Sequence, residues 1–295
     1  MADIQGVTEV ADVGDAVLTE KMDKLALVAR QGHIYPWITM MIPPEKTRGA
    51  PSYKFPWLDA SANAVAIPDG TDIDAVVYTG DAASATQGEV AQRVEVSNPT
   101  LLAQLEAEEA SVLNAMGSVH AKIDTDVLAL FTSATNASDF SGTTLTKAKI
   151  LAALRDFKKQ IPGEGMYALV LHPDQIADIQ AEVVTAAGTA NLDAALGYAG
   201  MFGPDTGYKG TLQGYHLFET TRVPQFDATN WSGAVLRIPR AEMDYGALGL
   251  AVWDPLRVQF RPNPRATSHN MIAHAMVGMT ITQQTMLREI ISAKA

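Results

Sequence analysis

Residues 98–133 read NPTLLAQLEAEEASVLNAMGSVHAKIDTDVLALFTS, the most informative part of the sequence. Asn98 is a favoured N-cap residue and Pro99 suits the first helical position. Apolar side chains then recur at helical spacing on one face, and charged residues occupy the others. The apolar face consists of Leu101, Leu105, Val112, Met116, Val119, Ile123, Val127 and Leu130. The pattern predicts one helix of about 36 residues, roughly 54 Å long and about three times the usual length in globular proteins.

A proline-rich apolar arm precedes this helix. Residues 34–44 read IYPWITMMIPP, and the three prolines favour an extended chain over a helix. A segment this apolar would aggregate if it were exposed to water. It must therefore lie on its own body or on a neighbouring molecule. Trp37 and Ile38, near its centre, are candidate contacts between subunits.

Residues 46–96 are predicted to form a polar, mostly β-structured segment that projects from the body of the protein. Residues 52–58 have the composition of one strand, and residues 90–96 have that of its returning partner. Between them, residues 59–81 contain no Lys or Arg, and we name them the acidic segment. Its acids are Asp59, Asp69, Asp72, Asp74 and Asp81. Because such a stretch cannot build a core of its own, it is predicted to project as a loop.

The remainder of the chain alternates helices and strands, which predicts a compact mixed structure. Thr146 begins an amphipathic helix, the continuous apolar run at 166–171 predicts a buried strand, and His172 opens a third helix. Residues 188–214 contain seven glycines and are predicted to form a long irregular loop. Further strands are predicted at 215–219, 234–238, 256–260 and 271–279.

The composition excludes several classes of protein. The chain has 295 residues, a net charge of −11 and no Cys, so disulfide frameworks and thiolate sites are excluded. Residues 1–140 hold 20 acids and 8 bases, whereas residues 141–295 hold 13 acids and 14 bases. Such a charge does not favour binding to nucleic acid backbone or to an anionic membrane. No apolar run of about 18 residues predicts a transmembrane helix.

Three patterns resemble chemical motifs but lack the required context. His269 and His274 are five residues apart, which suits no helical zinc motif. Residues 69–74 lack the closing Glu of a calcium loop, so we interpret them as a solvated acidic turn, with a weak divalent-cation site between subunits as the alternative. Residues 163–168 fit a dinucleotide-binding pattern but precede a strand instead of following one. We therefore predict no catalytic, cofactor-binding or metal-ligating residues and no cofactor.

Five arginines fall late in the sequence, with few acids near them. They are Arg237, Arg240, Arg257, Arg261 and Arg265. The chain has no basic surplus, so pairing with acids of the same or another copy is the better interpretation, and phosphate binding is the alternative. We predict that the acidic segment meets basic groups of a neighbouring subunit, with Arg257, Arg261 and Arg265 as candidates.

The order of these parts resembles that of the major capsid proteins of tailed bacteriophages, which have the Hong Kong ninety-seven-type fold. Residues 123–128, IDTDVL, are similar to the I-D-x-D-x-L motif near the end of that family's spine helix. Residues 168–175, ALVLHPDQ, are similar to the strand and helix start of its axial domain. Residues 210–217, GTLQGYHL, followed by Arg222-Val223-Pro224, resemble its G-x-L-x-G strand and closing proline.

The resemblance implies an α+β capsid fold with five consecutive regions. They are an N-terminal arm at 1–45, an extended β-hairpin loop at 46–96, a peripheral domain with the spine helix at 97–164, an axial domain at 165–250, and a return to the peripheral domain at 251–295.

The resemblance also implies a function. The chain would be a non-enzymatic structural subunit of an icosahedral viral capsid, made in the host cytoplasm and located in the virion. Its copies would self-assemble into hexamers and pentamers around double-stranded DNA. Its other partners would be a scaffolding protein, a portal and a decoration protein, with DNA bound without sequence specificity and no membrane. Two alternatives stay open on the sequence: an encapsulin-type protein compartment, and a soluble α/β enzyme.

Overall fold

The computed structural model describes residues 32–58, 80–97, 107–161, 165–187, 207–239, 245–263 and 268–294. The helices are α1 Tyr35–Ile38, α2 Pro44–Thr47, α3 Ala107–Ala129, α4 Lys147–Gln160 and α5 Pro173–Ala187, with 3₁₀ turns at Leu130–Ser133 and Gln284–Met286. The strands are β1 Thr39–Ile42, β2 Ser52–Leu58, β3 Gly80–Thr86, β4 Gly88–Ser97, β5 Ala137–Phe140, β6 Met166–Leu171, β7 Tyr208–Leu212, β8 Tyr215–Glu219, β9 Asn230–Ile238, β10 Leu248–Asn263, β11 Ser268–Ile281 and β12 Leu287–Ala293. No helix in this described part of the chain has both the length and the apolar character that a bilayer crossing requires.

The first sheet has four strands in the order β1-β10-β11-β4. β10 and β11 form a long antiparallel pair in which Leu248 is opposite Ile281 and Asn263 is opposite Ser268. β4 pairs antiparallel with β11, and β1 pairs parallel with β10 at the other edge. The strands predicted at 256–260 and 271–279 are therefore present, and both are longer than the sequence indicated.

The strand pairing predicted for the extended loop was wrong. β2 pairs antiparallel with β3, and residues 90–96 lie in β4. Val90 and Val94 of β4 pack against the main core, where β11 provides a complete antiparallel ladder. These two valines therefore contribute to the main core and not to the hairpin. The backbone N–H of Gln87 donates to Pro51 O at 3.0 Å, between the two pairings.

The second sheet has six strands in the order β5-β12-β9-β6-β8-β7. The apolar run predicted to be a buried strand is β6, which pairs with β9 on one side and β8 on the other. α4 and α5 cover one face of this sheet through a cluster that includes Ile150, Phe157 and Ile176. The opposite face belongs to the main core, so the strand needs apolar side chains in both directions.

Both covering helices begin where the sequence predicts. Thr146 caps α4 by accepting a hydrogen bond from the backbone N–H of Lys149 at 3.4 Å. At the start of α5, the Gln175 side-chain oxygen accepts from the backbone N–H of His172 at 3.0 Å. Pro173 occupies the first helical position, where its missing N–H removes no intrahelical bond.

The long predicted helix is present as α3, and it ends through its 3₁₀ turn at Ser133, as predicted. Residues 98–106, with the predicted N-cap, lie outside the described residues. α3 packs on β4 and β11, and its terminal turn packs on β9 and β12. Phe131 in that turn is fully buried in the main core, so one core joins the two sheets at the end of this helix.

The proline-rich arm is less extended than predicted, because α1 makes one helical turn before β1. Pro36 lies in that first turn, where a missing N–H is tolerated. Ile34, Tyr35 and Ile38 are buried in the main core of the same chain. The described part of the arm therefore lies on its own body.

The six-stranded sheet and its helical cover take elements from three of the predicted regions, whose boundaries stay a prediction. β5 and α4 lie within 97–164, the predicted peripheral domain, but they belong to the six-stranded sheet and its helical cover. β12 lies within 251–295, the predicted return to that domain, and it too is a strand of the six-stranded sheet. The reason is its pairing, since β12 is antiparallel to β9 and parallel to β5.

Candidate functional site

The acidic segment lies almost entirely outside the described residues. Five of the predicted contact residues lie outside the described residues: Asp59, Asp69, Asp72, Asp74 and Arg265. Asp81 lies on β3 opposite Trp57, and Arg261 lies on β10 opposite Asn270. The contact between these acids and arginines therefore stays a prediction.

Arg257 has an acidic partner within its own chain. Its Nε atom lies 3.0 Å from Asp254 Oδ1, and His274 Nε2 lies 3.7 Å from Asp254 Oδ2. The Arg257 side chain is 59% exposed, so this ion pair contributes little to stability. The pair agrees with the interpretation that the late arginines meet acids, and it leaves less of the Arg257 charge for a neighbouring subunit.

Trp37 and Ile38, the predicted contacts of the arm, lie in opposite environments. Trp37 is 39% exposed, whereas Ile38 is fully buried in the main core. Of these two residues, only Trp37 has side-chain surface to offer another molecule.

A buried carboxylate ties the arm to the long helix. Asp124, on α3, is 0% exposed. Its Oδ1 atom accepts hydrogen bonds from the backbone N–H groups of Ile34 and Tyr35 at 3.2 and 2.8 Å. Its Oδ2 atom accepts from Arg222 Nη1 at 3.1 Å. Donors and a counter-charge replace the hydration that the carboxylate loses, which is the condition for burying it.

Two histidines complete this junction, which we define as His33, Tyr35, His120, Asp124 and Arg222. The Tyr35 hydroxyl lies 2.8 Å from His120 Nδ1, and Arg222 Nη1 lies 3.2 Å from His33 Nδ1. The rings of His33 and His120 have their centres 5.6 Å apart. The junction joins three separate parts of the chain: the end of the arm, the long helix and the segment after β8.

The sequence indicated this junction only in part. The IDTDVL motif contains Asp124 and Asp126, which point in different directions because residues two apart on a helix do not share a face. Asp124 points into the core, whereas Asp126 is partly exposed, with its Oδ1 atom 2.5 Å from Lys122 Nζ. Arg222 follows Asp124 by 98 residues, so no local pattern predicts their contact.

A second buried carboxylate lies within the six-stranded sheet. Glu289, on β12, is 3% exposed and accepts a hydrogen bond from the Ser232 hydroxyl on β9. Burial raises the pKa of the Glu289 carboxyl above its ordinary value, the hydrogen bond from Ser232 opposes the rise, and the charge of Asp139 adds to it. Folding therefore favours the protonated form of this acid.

Glu289→Gln is expected to raise the free energy of unfolding at pH 7, because the amide keeps the side-chain shape and requires no buried charge. The folded-state pKa lies above the ordinary value of 4.5, so the parent loses stability as the pH rises through that folded-state pKa. In urea unfolding, the variant should have a higher free energy of unfolding than the parent at pH 7 and no higher value at pH 4. The exposed Glu45→Gln is the control for the loss of one negative charge, and a Glu289→Gln protein less stable than the parent at pH 7 would contradict the assignment.

An open groove with a basic rim lies along α4, beside the turn between β7 and β8. Its volume is about 380 Å³, and its lining residues are Leu151, Leu154, Arg155, Lys158, Lys159, Gln213 and Tyr215. Sequence reasoning identified α4 only as an amphipathic helix, although its five basic residues and one acid were a signal for a charged surface. Among the described residues, no group of three or more histidines or acids is placed to hold a metal ion.

No protein-family model matches this sequence, and no curated protein matches it. Solved structures do match. The capsid of Ralstonia phage GP4 is similar with a TM-score of 0.67 at 8% identity, over 90% of each chain. The capsid structure of cyanophage P-SCSP1u is similar with a TM-score of 0.62 at 13% identity, again over 90% of each chain.

A virus-like particle from Pyrococcus furiosus is also similar, with a TM-score of 0.54 at 11% identity, over 92% of this chain and 98% of the other. At such low identities, the likeness establishes the fold alone. The chain has the mixed helix-and-strand fold of the tailed-phage capsid proteins, as the order of its parts predicted.

Proposed function

We propose that this chain is the structural, non-enzymatic subunit of a viral capsid and that its copies assemble into a closed icosahedral shell. The observation that carries the proposal is the match to phage capsid structures over 90% of both chains. The likeness therefore extends over most of this chain and is not confined to one segment of it.

The exposed aromatic residues support association between copies. Trp37, Phe226 and Tyr245 are 39%, 47% and 45% exposed. Large aromatic side chains are enriched where proteins bind one another. In a closed shell each copy meets several neighbours, so contacts that are weak one by one add together.

In this proposal the copies form hexamers and pentamers of a virion shell that encloses double-stranded DNA. The net charge of −11 per copy supports enclosure without sequence-specific contacts, because it disfavours adhesion of the DNA to the protein. Assembly in the host cytoplasm would involve a scaffolding protein and a portal, and a decoration protein would bind the finished shell. The acidic segment and Trp37 would contact neighbouring copies.

An encapsulin-type compartment is the second candidate, since one matching structure is described as a virus-like particle and not as a phage capsid. The contents of particles isolated from the native source separate the two. Double-stranded DNA inside the shells supports the capsid, whereas a protein cargo without DNA supports the compartment. The structural matches give no support to a soluble α/β enzyme.

Sedimentation velocity of the purified chain tests the proposal. We expect a fast-sedimenting particle in addition to the 31.5 kDa subunit. Trp37→Ser should raise the protein concentration needed for half-assembly about tenfold, which corresponds to roughly 1.4 kcal/mol of lost apolar contact. Circular dichroism should show that the variant is folded, with some loss in the free energy of unfolding because Trp37 is only 39% exposed.

The proposed function and the contact role of Trp37 can fail separately. A parent chain that stays a 31.5 kDa monomer under all conditions contradicts the proposed function. A Trp37→Ser chain that assembles as well as the parent contradicts only the contact role of Trp37.

A further inference from the structure

The groove along α4 combines a positive rim with an apolar floor. We infer that it binds the acidic segment, residues 59–81, of a neighbouring copy of this chain. The inference rests on the proposed function, because an assembly is what brings the two copies side by side.

The rim is positive on a chain that is otherwise negative. α4 carries five basic residues and one acid, Asp156. Arg155 and Lys159 are 70% and 68% exposed, and their nitrogen atoms lie 3.8 and 3.4 Å from Asp156 Oδ1. One carboxylate shared by two cations leaves a positive surplus at the rim. A surface of this kind attracts an acidic partner and repels a basic one.

The floor of the groove is apolar, and it identifies the kind of partner. Leu151, Leu154 and Tyr215 line it. The Tyr215 hydroxyl donates to Leu154 O at 3.3 Å, which satisfies the polar end of the ring within the protein. Lys158 Nζ lies 5.3 Å from the centre of the Tyr215 ring, so a cation sits at the edge of the floor. A phosphate backbone needs cations but no apolar floor, so a peptide with acidic and apolar side chains fits better.

The acidic segment has that composition. It carries five aspartates and no lysine or arginine, together with apolar residues such as Ile67 and Val76. Within it, Ile73 stands between Asp72 and Asp74, so one apolar side chain is flanked by two carboxylates.

The length of the segment allows it to reach an adjacent copy. Leu58 pairs with Gly80, so residues 59–79 begin and end at the same end of the β2–β3 hairpin. Whatever its conformation, a segment of 21 residues with adjacent ends can extend at most about 35 Å from those ends. This length is compatible with a contact on an adjacent copy.

The groove is a better partner for the acidic segment than Arg257, which the sequence suggested. Arg257 Nε lies 3.0 Å from Asp254 of its own chain. Lys158, in contrast, is held over an aromatic ring beside an apolar surface that a peptide can cover.

A charge exchange in the full-length chain tests the inference, with assembly followed by light scattering at increasing NaCl. Lys158→Glu/Lys159→Glu should raise the protein concentration for half-assembly at least tenfold, and Asp72→Lys/Asp74→Lys should do the same. The combination of all four changes should restore assembly to within about threefold of the parent, because the charges are complementary again. Circular dichroism checks folding, and Lys158→Gln/Lys159→Gln is the milder variant. Arg257→Glu combined with Asp72→Lys/Asp74→Lys is the matched control and should not restore assembly.

Unchanged assembly of Lys158→Glu/Lys159→Glu, or restoration by Arg257→Glu in its place, would overturn the inference. If the parent never assembles, the proposed function fails, and a synthetic peptide of residues 66–78 still tests the groove on the monomer. Fluorescence anisotropy should then show binding that Lys158→Glu/Lys159→Glu weakens at least tenfold and that high salt removes. No binding to the parent, or equal binding to both proteins, would overturn the inference.

Discussion

Asp124→Ala is expected to lower the free energy of unfolding by about 3–5 kcal/mol, because it removes a fully buried carboxylate that accepts three hydrogen bonds. The change removes the acceptor for the backbone N–H groups of Ile34 and Tyr35 and leaves Arg222 without its carboxylate. Each buried donor left without an acceptor costs about 1–3 kcal/mol. Because these bonds hold α1 to α3, the arm should also become easier to cleave in limited proteolysis.

Asp126→Ala is the matched control for this change. It lies two residues later on the same helix and pairs with Lys122 at the surface, so its loss should cost less than about 1 kcal/mol. Urea denaturation followed by circular dichroism measures both variants. Equal and small losses for the two variants would show that the junction does not hold the arm.

Phe131→Ala is expected to lower the free energy of unfolding by a similar amount, about 3–5 kcal/mol. Phe131 is fully buried in the 3₁₀ turn where the long helix meets β9 and β12. Truncation removes apolar burial and leaves a cavity, since close-packed surroundings relax only in part. The cavity lies where the core joins the two sheets, so both should unfold in a single transition at lower urea concentration.

Leu130→Ala is the control for Phe131. Leu130 is the preceding residue and is only partly buried against the same core, so its truncation should cost about 1–2 kcal/mol. Urea unfolding followed by tryptophan fluorescence compares the two variants. A loss for Phe131→Ala no larger than that for Leu130→Ala would contradict its role in joining the sheets.

Elements that depend on local patterns could be predicted from the sequence. The long helix is visible in its apolar periodicity, and its end at Ser133 was predicted. β6 is visible as a continuous apolar run, and the start of α5 as His172-Pro173. The order of these parts was enough to predict the capsid fold.

Features that depend on distant contacts could not be predicted. Val90 and Val94 could pair with any antiparallel strand, so their sequence does not identify the partner. That partner is β11, which is far away in the sequence. Asp124 meets Arg222 across 98 residues, and the groove forms only because Tyr215 comes beside α4. Ile38 was proposed as a contact because apolar character alone does not distinguish a buried residue from an exposed one such as Trp37.

Electron microscopy of the purified full-length chain under conditions that favour assembly shows whether the subunits close around a volume. We expect hollow particles of uniform diameter whose averaged images show icosahedral symmetry, with rings of six and five copies. Fields that contain only isolated 31.5 kDa subunits, or open aggregates without symmetry, would contradict a shell-forming role for this chain.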